Sequence, residues 1–208
     1  MHKVGLVILA LMYSMKLSAE EVPSTILDYD YLYASVGSGS LNEDAGVNSN
    51  ASIFSIGGSY QADDNWLVVG DYTARFLHPD ETTTRADTLM AGAGYRYVIV
   101  RDFDFVTSYQ IGVTKAKVEL NDAANTTVSS DTEFIHGVKV ALNYGFSESW
   151  IAIGSVQFNR SDLLDEEVYH TSLRYLVTPK FAVGGFYNHR NGQDERTNEI
   201  GINFLLEL

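Results

Sequence analysis

The chain has 208 residues and a formal net charge of −13, from 27 acidic and 14 basic side chains. So acidic a chain is not suited to binding nucleic acid, and we expect no nucleic-acid partner. The absence of Cys excludes disulfides, and 13 Tyr and 17 Gly against 3 Pro favour a β-rich chain of one domain.

The N-terminus has the pattern of a secretory signal peptide. His2 and Lys3 give a basic start, residues 4–13 form an apolar run, and Ser18 and Ala19 supply small side chains before an acidic pair. The apolar run is too short to span a bilayer as a helix. We therefore predict a signal peptide over residues 1–19 and an exported domain over residues 20–208.

After this leader, ten segments alternate apolar and polar residues, which is the period of a half-buried strand. They cover residues 28–38, 51–61, 66–76, 86–97, 103–118, 132–144, 150–160, 168–176, 181–190 and 197–208. Short turns alternate with longer polar loops, as in membrane-spanning antiparallel barrels. We predict an all-β, antiparallel up-and-down transmembrane β-barrel of ten strands, with eight as the alternative number. A soluble β-sandwich would also produce the alternation.

Two aromatic residues frame each of the four short turns, with five residues between them. The pairs are Tyr60 and Trp66, Tyr97 and Phe103, Tyr144 and Trp150, and Tyr175 and Phe181. Aromatic residues collect at the membrane interfaces of such barrels, so we predict that these eight form a girdle at the turns. Both members of a pair can lie on one face of a hairpin only if the turn has an odd length or a bulge. We predict one or the other at all four turns.

The two faces of the predicted strands differ in polarity. Residues with the parity of the framing aromatics are nearly all apolar, and the opposite parity collects polar and charged side chains. The ionisable residues predicted to face the lumen as a charge network are Asp71, Arg75, Arg96, Asp104, Glu133, Lys139, His170, Arg174 and Glu199. Ten strands enclose little more space than side chains fill, so these charges must pair. We expect a lumen largely plugged by salt bridges; the alternative is a narrow pore for small solutes.

The whole mature chain resembles the small outer-membrane β-barrel proteins of Gram-negative bacteria, the OmpA-like and OmpW-like group. The features that carry this resemblance are the leader, hairpins of the type YQADDNWLVVGDY and YLVTPKFAVGGFY, and the alternating C-terminal strand IGINFLLEL. It implies an outer-membrane location with both termini and the aromatic girdle on the periplasmic side. It also implies a monomer in contact with outer-membrane lipid and lipopolysaccharide. In that family the barrel-assembly machinery recognises the C-terminal strand, whose last residue is usually Phe; here it is Leu208.

Lys115, Lys117 and Arg160 continue the outward parity beyond the apolar band, at the loop ends of their strands. Cations in this position would meet lipopolysaccharide phosphates. The alternative is that they are solvated strand ends.

His170 and Ser172 form a His-x-Ser motif that faintly resembles that of outer-membrane lipid A deacylases. In that family an Asn follows the Ser and the site faces the lipid, whereas here Leu173 follows and parity turns both side chains inward. Polar lumen residues explain the motif better than deacylation does. We therefore expect no enzymatic activity, no cofactor and no metal site, and a structural, envelope or surface-interaction role.

Overall fold

The computed structural model describes residues 26–42, 50–78, 82–120, 127–192 and 196–208, and the predicted signal peptide lies outside these ranges. Ten strands make up the fold. They are β1 (Tyr31–Leu41), β2 (Ala51–Gln61), β3 (Trp66–Leu77), β4 (Thr82–Val100), β5 (Phe103–Leu120), β6 (Thr127–Ser147), β7 (Trp150–Arg160), β8 (Glu166–Thr178), β9 (Phe181–Gly192) and β10 (Arg196–Glu207).

The sheet is a closed antiparallel barrel in which each strand pairs with its neighbours in the sequence. The ring closes between β1 and β10, where Tyr31 lies opposite Glu207 and Leu41 lies opposite Thr197. The predicted ten-stranded up-and-down barrel is therefore confirmed. Within the described ranges, no helix has the length and apolar character needed to cross a bilayer.

The barrel has two different ends. The turn end carries the four short turns, the start of β1 and the end of β10; the loop end carries the other five connections. The predicted strand bounds are too short at the loop end, because β4, β5 and β6 reach 19, 18 and 21 residues. Their polar extensions lack the alternation that marks a half-buried strand, but they are held by pairs such as Thr82 with Leu120. Conversely, the predicted first strand begins too early, since β1 starts at Tyr31.

The parity of the strands divides lipid-facing from lumen-facing side chains as predicted. Outward apolar residues remain open to the surroundings; Phe134 and Ile200, for example, are 58% and 64% exposed. Inward polar residues are buried, including Asp104, Thr114 and Glu199. An apolar exterior around a polar interior is the arrangement that a transmembrane barrel requires.

The four turns satisfy the predicted register. Gln61 lies opposite Leu67, so the first turn has an odd number of residues. At the other three turns the register shifts by one residue, after Val98, Gly145 and Leu176, which is a bulge. Both kinds of turn keep the framing aromatics on one face, as expected from their common parity.

We predict that the folded protein migrates differently on a denaturing gel before and after boiling. The closed ring leaves no unpaired seam at which detergent could begin to separate the strands, so the unboiled barrel should stay folded and compact. Comparison of boiled and unboiled samples of the same refolded protein tests this expectation. Identical mobility of the two samples would contradict a closed, kinetically stable barrel.

Candidate functional site in the barrel lumen

The lumen contains three layers. Near the loop end lies a group of four charged side chains, Arg75, Glu166, Arg190 and Glu199, which we call the loop-end cluster. Below it is a central cavity of about 140 Å³. At the turn end, residues 26–30 enter the lumen before β1 begins; we call them the N-terminal segment.

The loop-end cluster is a ring of alternating charge. Arg75 lies 3.3 Å from Glu166 and 3.3 Å from Glu199. Arg190 lies 2.9 Å from Glu166 and 3.0 Å from Glu199. Each carboxylate therefore meets both guanidinium groups, and none of the four side chains is more than 12% exposed. Because β3, which carries Arg75, lies across the ring from β8, the cluster spans the width of the lumen.

Neutral side chains complete the hydrogen bonding of the cluster. Asn159 donates to Glu166 Oε1 over 3.1 Å, and Asn188 donates to Glu199 Oε2 over 3.0 Å. Arg75 Nη2 also donates to Thr197 Oγ1 over 3.0 Å. A buried ion pair is tolerated only when such bonds compensate for lost hydration, and here they do so for both carboxylates.

The N-terminal segment fills the turn end by apolar packing. Leu27 and Tyr29 are buried in a cluster with Leu67 and Ile151. Leu67 and Ile151 point inward from β3 and β7, where the lumen is apolar rather than polar. Parity alone does not distinguish this apolar level from the polar levels above it, because the side chains of all these levels have inward parity.

A polar group fixes Tyr29 in place. Its hydroxyl donates to Asp104 Oδ2 over 3.0 Å and accepts from Asn143 Nδ2 over 3.0 Å. Arg96 Nε lies 2.6 Å from the same Asp104 oxygen, and its guanidinium sits 4.8 Å from the centre of the Tyr29 ring. Burial, with Asp104 as a smaller cause, raises the pKa of the Tyr29 hydroxyl, so that it remains a donor.

Backbone hydrogen bonds tie the segment across the turn-end opening. Ile26 N donates to Asp102 Oδ1 over 3.0 Å, at the turn between β4 and β5. On the other side, Gln61 N donates to Asp30 Oδ1 over 2.5 Å and Leu208 N donates to the Asp30 carbonyl over 2.9 Å. The segment is thus fixed at both of its ends.

The central cavity lies between these two closures. Asp71, Lys139, His170 and Arg174 are among its lining residues. Asp71 accepts a hydrogen bond of 2.8 Å from Gln110. His170 Nδ1 lies 2.6 Å from the Asn188 amide oxygen and donates to it.

The nine predicted lumen residues fall into different layers. The loop-end cluster contains Arg75 and Glu199, and the turn end contains the pair of Arg96 and Asp104. The cavity is lined by Asp71, Lys139, His170 and Arg174. Glu133 lies on β6 opposite Thr114. The expectation that every lumen charge must pair is wrong for four acidic or basic residues, which form no ion pair within the described ranges: Asp71, Glu133, Lys139 and Arg174. Ion pairs or packed side chains occupy two levels of the lumen, and a cavity lies between them.

The predicted lumen residues did not include Glu166, Arg190 or Tyr29. Arg190 has the inward parity of Phe186 and Asn188 on the same strand, so a signal for it was present. Glu166 precedes the predicted strand but shares the parity of His170. Tyr29 lies within the predicted first strand, over residues 28–38, and no local pattern marks a segment that leaves the sheet for the lumen.

The eight predicted girdle residues lie at the turn end. Among the described residues no ring contact joins the two members of a framing pair, whereas three ring contacts cross the boundary between hairpins. These contacts join Trp66 to Tyr95 (5.3 Å between ring centres), Phe103 to Tyr144 (5.7 Å) and Trp150 to Tyr175 (5.0 Å). The girdle therefore connects neighbouring hairpins.

The predicted outward cations lie at the loop end, each near an acid. Lys117 pairs with Glu119, and Arg160 pairs with Asp165. Lys115 lies opposite Asp87 on β4. Arg85, which the sequence analysis did not single out, lies opposite Lys117 and pairs with Asp87 at 2.7 Å.

The two polar side chains of the His-x-Ser motif bond to different partners in the structure. His170 bonds to Asn188, whereas Ser172 Oγ accepts a hydrogen bond of 3.0 Å from Asn203 Nδ2. Among the residues that the structure describes, no three His, Asp or Glu side chains are grouped so as to hold a metal ion.

Comparisons with known proteins extend the fold assignment. No protein-family model matches the chain, and no curated protein matches it. Among solved structures, the β domain of the Bordetella autotransporter BrkA is similar with a TM-score of 0.51 and 9% identity, over 87% of this chain and 100% of that one. The translocator domain of autotransporter NalP from Neisseria meningitidis has a TM-score of 0.49 and 8% identity, over 99% and 95% of the two chains. Neisserial surface protein A has a TM-score of 0.44 and 14% identity, over 86% and 96%.

Identities this low show a shared fold and nothing about activity. The closed antiparallel ring of ten strands and the similarity to the BrkA β domain define the class of protein by its fold: the chain is a β-barrel of the kind found in bacterial outer membranes.

We predict that Glu199→Gln destabilises the barrel by about 3–5 kcal/mol, because it leaves Arg75 and Arg190 buried with one shared carboxylate. The matched control is Glu119→Gln, which removes a partly exposed ion pair and should cost less than about 1 kcal/mol. Denaturant unfolding of both variants in detergent micelles measures the difference. Equal unfolding midpoints for the two variants would show that the cluster does not stabilise the fold.

Proposed function

We propose that this protein is an outer-membrane β-barrel with a closed lumen, and that it acts in the structure of the envelope or in interactions at its surface. In this proposal the turn end and both termini lie in the periplasm, and the five loops face outward. The protein is a monomer without enzymatic activity. The barrel-assembly machinery recognises β10, whose outward residues Ile200, Ile202, Phe204 and Leu206 are apolar and exposed.

The exterior of the barrel supports the membrane location. A tilted strand needs about 9–11 residues to cross the hydrocarbon core, and the shortest strands here have 11. Outward residues along them are apolar, such as Ile56, Val68 and Leu173. Exposed aromatic residues at the turn end, including Tyr60 and Trp66, suit the interface between hydrocarbon and water.

The proposal of a closed lumen is supported mainly by the presence of two different closures in series. The loop-end cluster crosses the lumen with four ion pairs, and the N-terminal segment packs into the opposite end. A solute would have to displace both to pass. Each is anchored to several strands, so thermal motion of one side chain does not open a path.

We predict that the wild-type protein gives no steady conductance steps in a planar bilayer. Replacing Leu27 and Tyr29 with Ser releases one closure, and replacing all four members of the loop-end cluster with Ser releases the other. Because the closures are in series, each variant alone should remain closed, and the combined variant should conduct. Single-channel recording measures this directly.

Lys115→Ser with Lys117→Ser is the control for the recordings, since these cations lie outside the lumen; heat-modifiable mobility confirms that every variant is folded. Steady conductance by the wild-type protein would overturn the closed lumen and favour the alternative function, a narrow pore for small solutes. The polar central cavity is the feature that favours this alternative. A folded combined variant that stays closed would show that other residues block the lumen.

We further propose that the outward cations at the loop end contact lipopolysaccharide. Arg85 and Lys117 lie opposite each other, with Lys115 two residues from Lys117 on β5. They stand above the exposed apolar residues Leu89 and Val113 on the same two strands. A cation next to the apolar band is at the level of the lipid phosphates, which suits Arg and Lys.

We predict that Lys115→Gln and Lys117→Gln each weaken retention of lipopolysaccharide by about fivefold, since a surface cation near lipid phosphates contributes about 1 kcal/mol. Lys180→Gln is the matched control, because Lys180 is an exposed cation at the turn end. Lipid phosphate retained by the washed, folded protein gives the readout. Equal losses in all three variants would point to nonspecific charge attraction.

A further inference from the structure

We propose that the central cavity binds a small oxyanion, of the size of acetate or inorganic phosphate, between Lys139 and Arg174. These residues lie on β6 and β8 and both line the cavity. The site is separate from the question of whether the barrel conducts, because a closed lumen and a conducting one would both contain it.

Both cations have donors that no acid occupies. Within the described ranges neither Lys139 nor Arg174 forms an ion pair. Arg174 Nε is buried and has no hydrogen-bond partner among the residues that the structure describes. The Arg174 guanidinium instead sits 5.9 Å from the centre of the Tyr31 ring. A guanidinium whose N–H groups are not occupied is a preferred receptor for carboxylate and phosphate oxygens.

The buried acids Asp104, Glu166 and Glu199 already have other partners. Asp104 forms an ion pair with Arg96 and accepts a hydrogen bond from Tyr29. The two acids of the loop-end cluster form ion pairs with its two Arg residues. Asp71 is the acid near Lys139, and it already accepts a hydrogen bond from Gln110. Among the described lining residues away from the turn end, Asp71 is the one acid, whereas Lys139 and Arg174 are two cations. The deep part of the cavity therefore carries an excess of positive charge that a bound anion would neutralise.

The size of the cavity also suits a small oxyanion. A volume of about 140 Å³ is large enough for such an ion with a few waters. Gln110 and Asn143 also line it and offer neutral donors. Asp28 and Glu207 line the turn-end side of the cavity, and Asp28 is exposed. Repulsion between an anion and these turn-end carboxylates is about 1 kcal/mol at 4 Å in water and is further screened by salt.

The test is a binding measurement on the full folded protein in detergent micelles, at constant ionic strength. Acetate is followed by saturation-transfer NMR of its methyl group, and inorganic phosphate by calorimetric titration. Saturable binding of at least one probe is expected, with Lys139→Met and Arg174→Met each weakening it at least tenfold. Lys139→Arg, which keeps the charge, should bind within a few-fold of the wild-type protein.

Arg85→Met is the control, because this cation lies outside the lumen and its loss should leave binding unchanged. Heat-modifiable mobility shows that each variant is folded before it is titrated. The site is overturned if the wild-type protein binds neither probe, or if the two Met variants bind as well as Arg85→Met. Neither result bears on the closed lumen, which is decided by conductance in a bilayer.

Discussion

The pairing of β1 with β10 is the constraint on which the rest of the barrel depends. Backbone N–H and C=O groups have no water partners in the hydrocarbon core, so a membrane-spanning sheet must close on itself. Closure fixes the register of every strand relative to the next, since a slip of one residue anywhere would exchange lipid-facing for lumen-facing side chains. The bulges after Val98, Gly145 and Leu176 are how three of the hairpins keep that register with short turns.

Closure also creates an interior that must be filled, and the chain fills its two ends by different chemistry. At the loop end, buried charges satisfy one another, which demands exact geometry and yields modest net stability. At the turn end, Leu27 and Tyr29 supply apolar packing and one polar anchor. Between the two ends, Lys139 and Arg174 line a cavity and form no ion pair with any residue that the structure describes.

The sequence was sufficient to predict what depends on period and parity. The number of strands, the outward apolar face and the register at the turns follow from local alternation. The common parity of Tyr60 and Trp66, for example, predicted a turn with an odd number of residues or a bulge. Contacts between side chains across the lumen could not be predicted from alternation. Arg75 and Glu166 are 91 residues apart and meet because of strand stagger and tilt, which alternation does not encode. The entry of the N-terminal segment into the lumen was not predicted for a related reason. Its apolar residues have the same pattern as those of a strand, so the sequence does not distinguish the two.

The aromatic contacts at the turn end have a consequence for assembly. Since Trp66 meets Tyr95, and Trp150 meets Tyr175, a hairpin added alone presents half of a ring contact that only its neighbour can complete. Each added hairpin therefore gains an aromatic ring contact at the same interface where its backbone joins the growing sheet. Hairpins inserted out of order would lack that gain, so the girdle favours sequential addition along the chain and penalises a skipped neighbour.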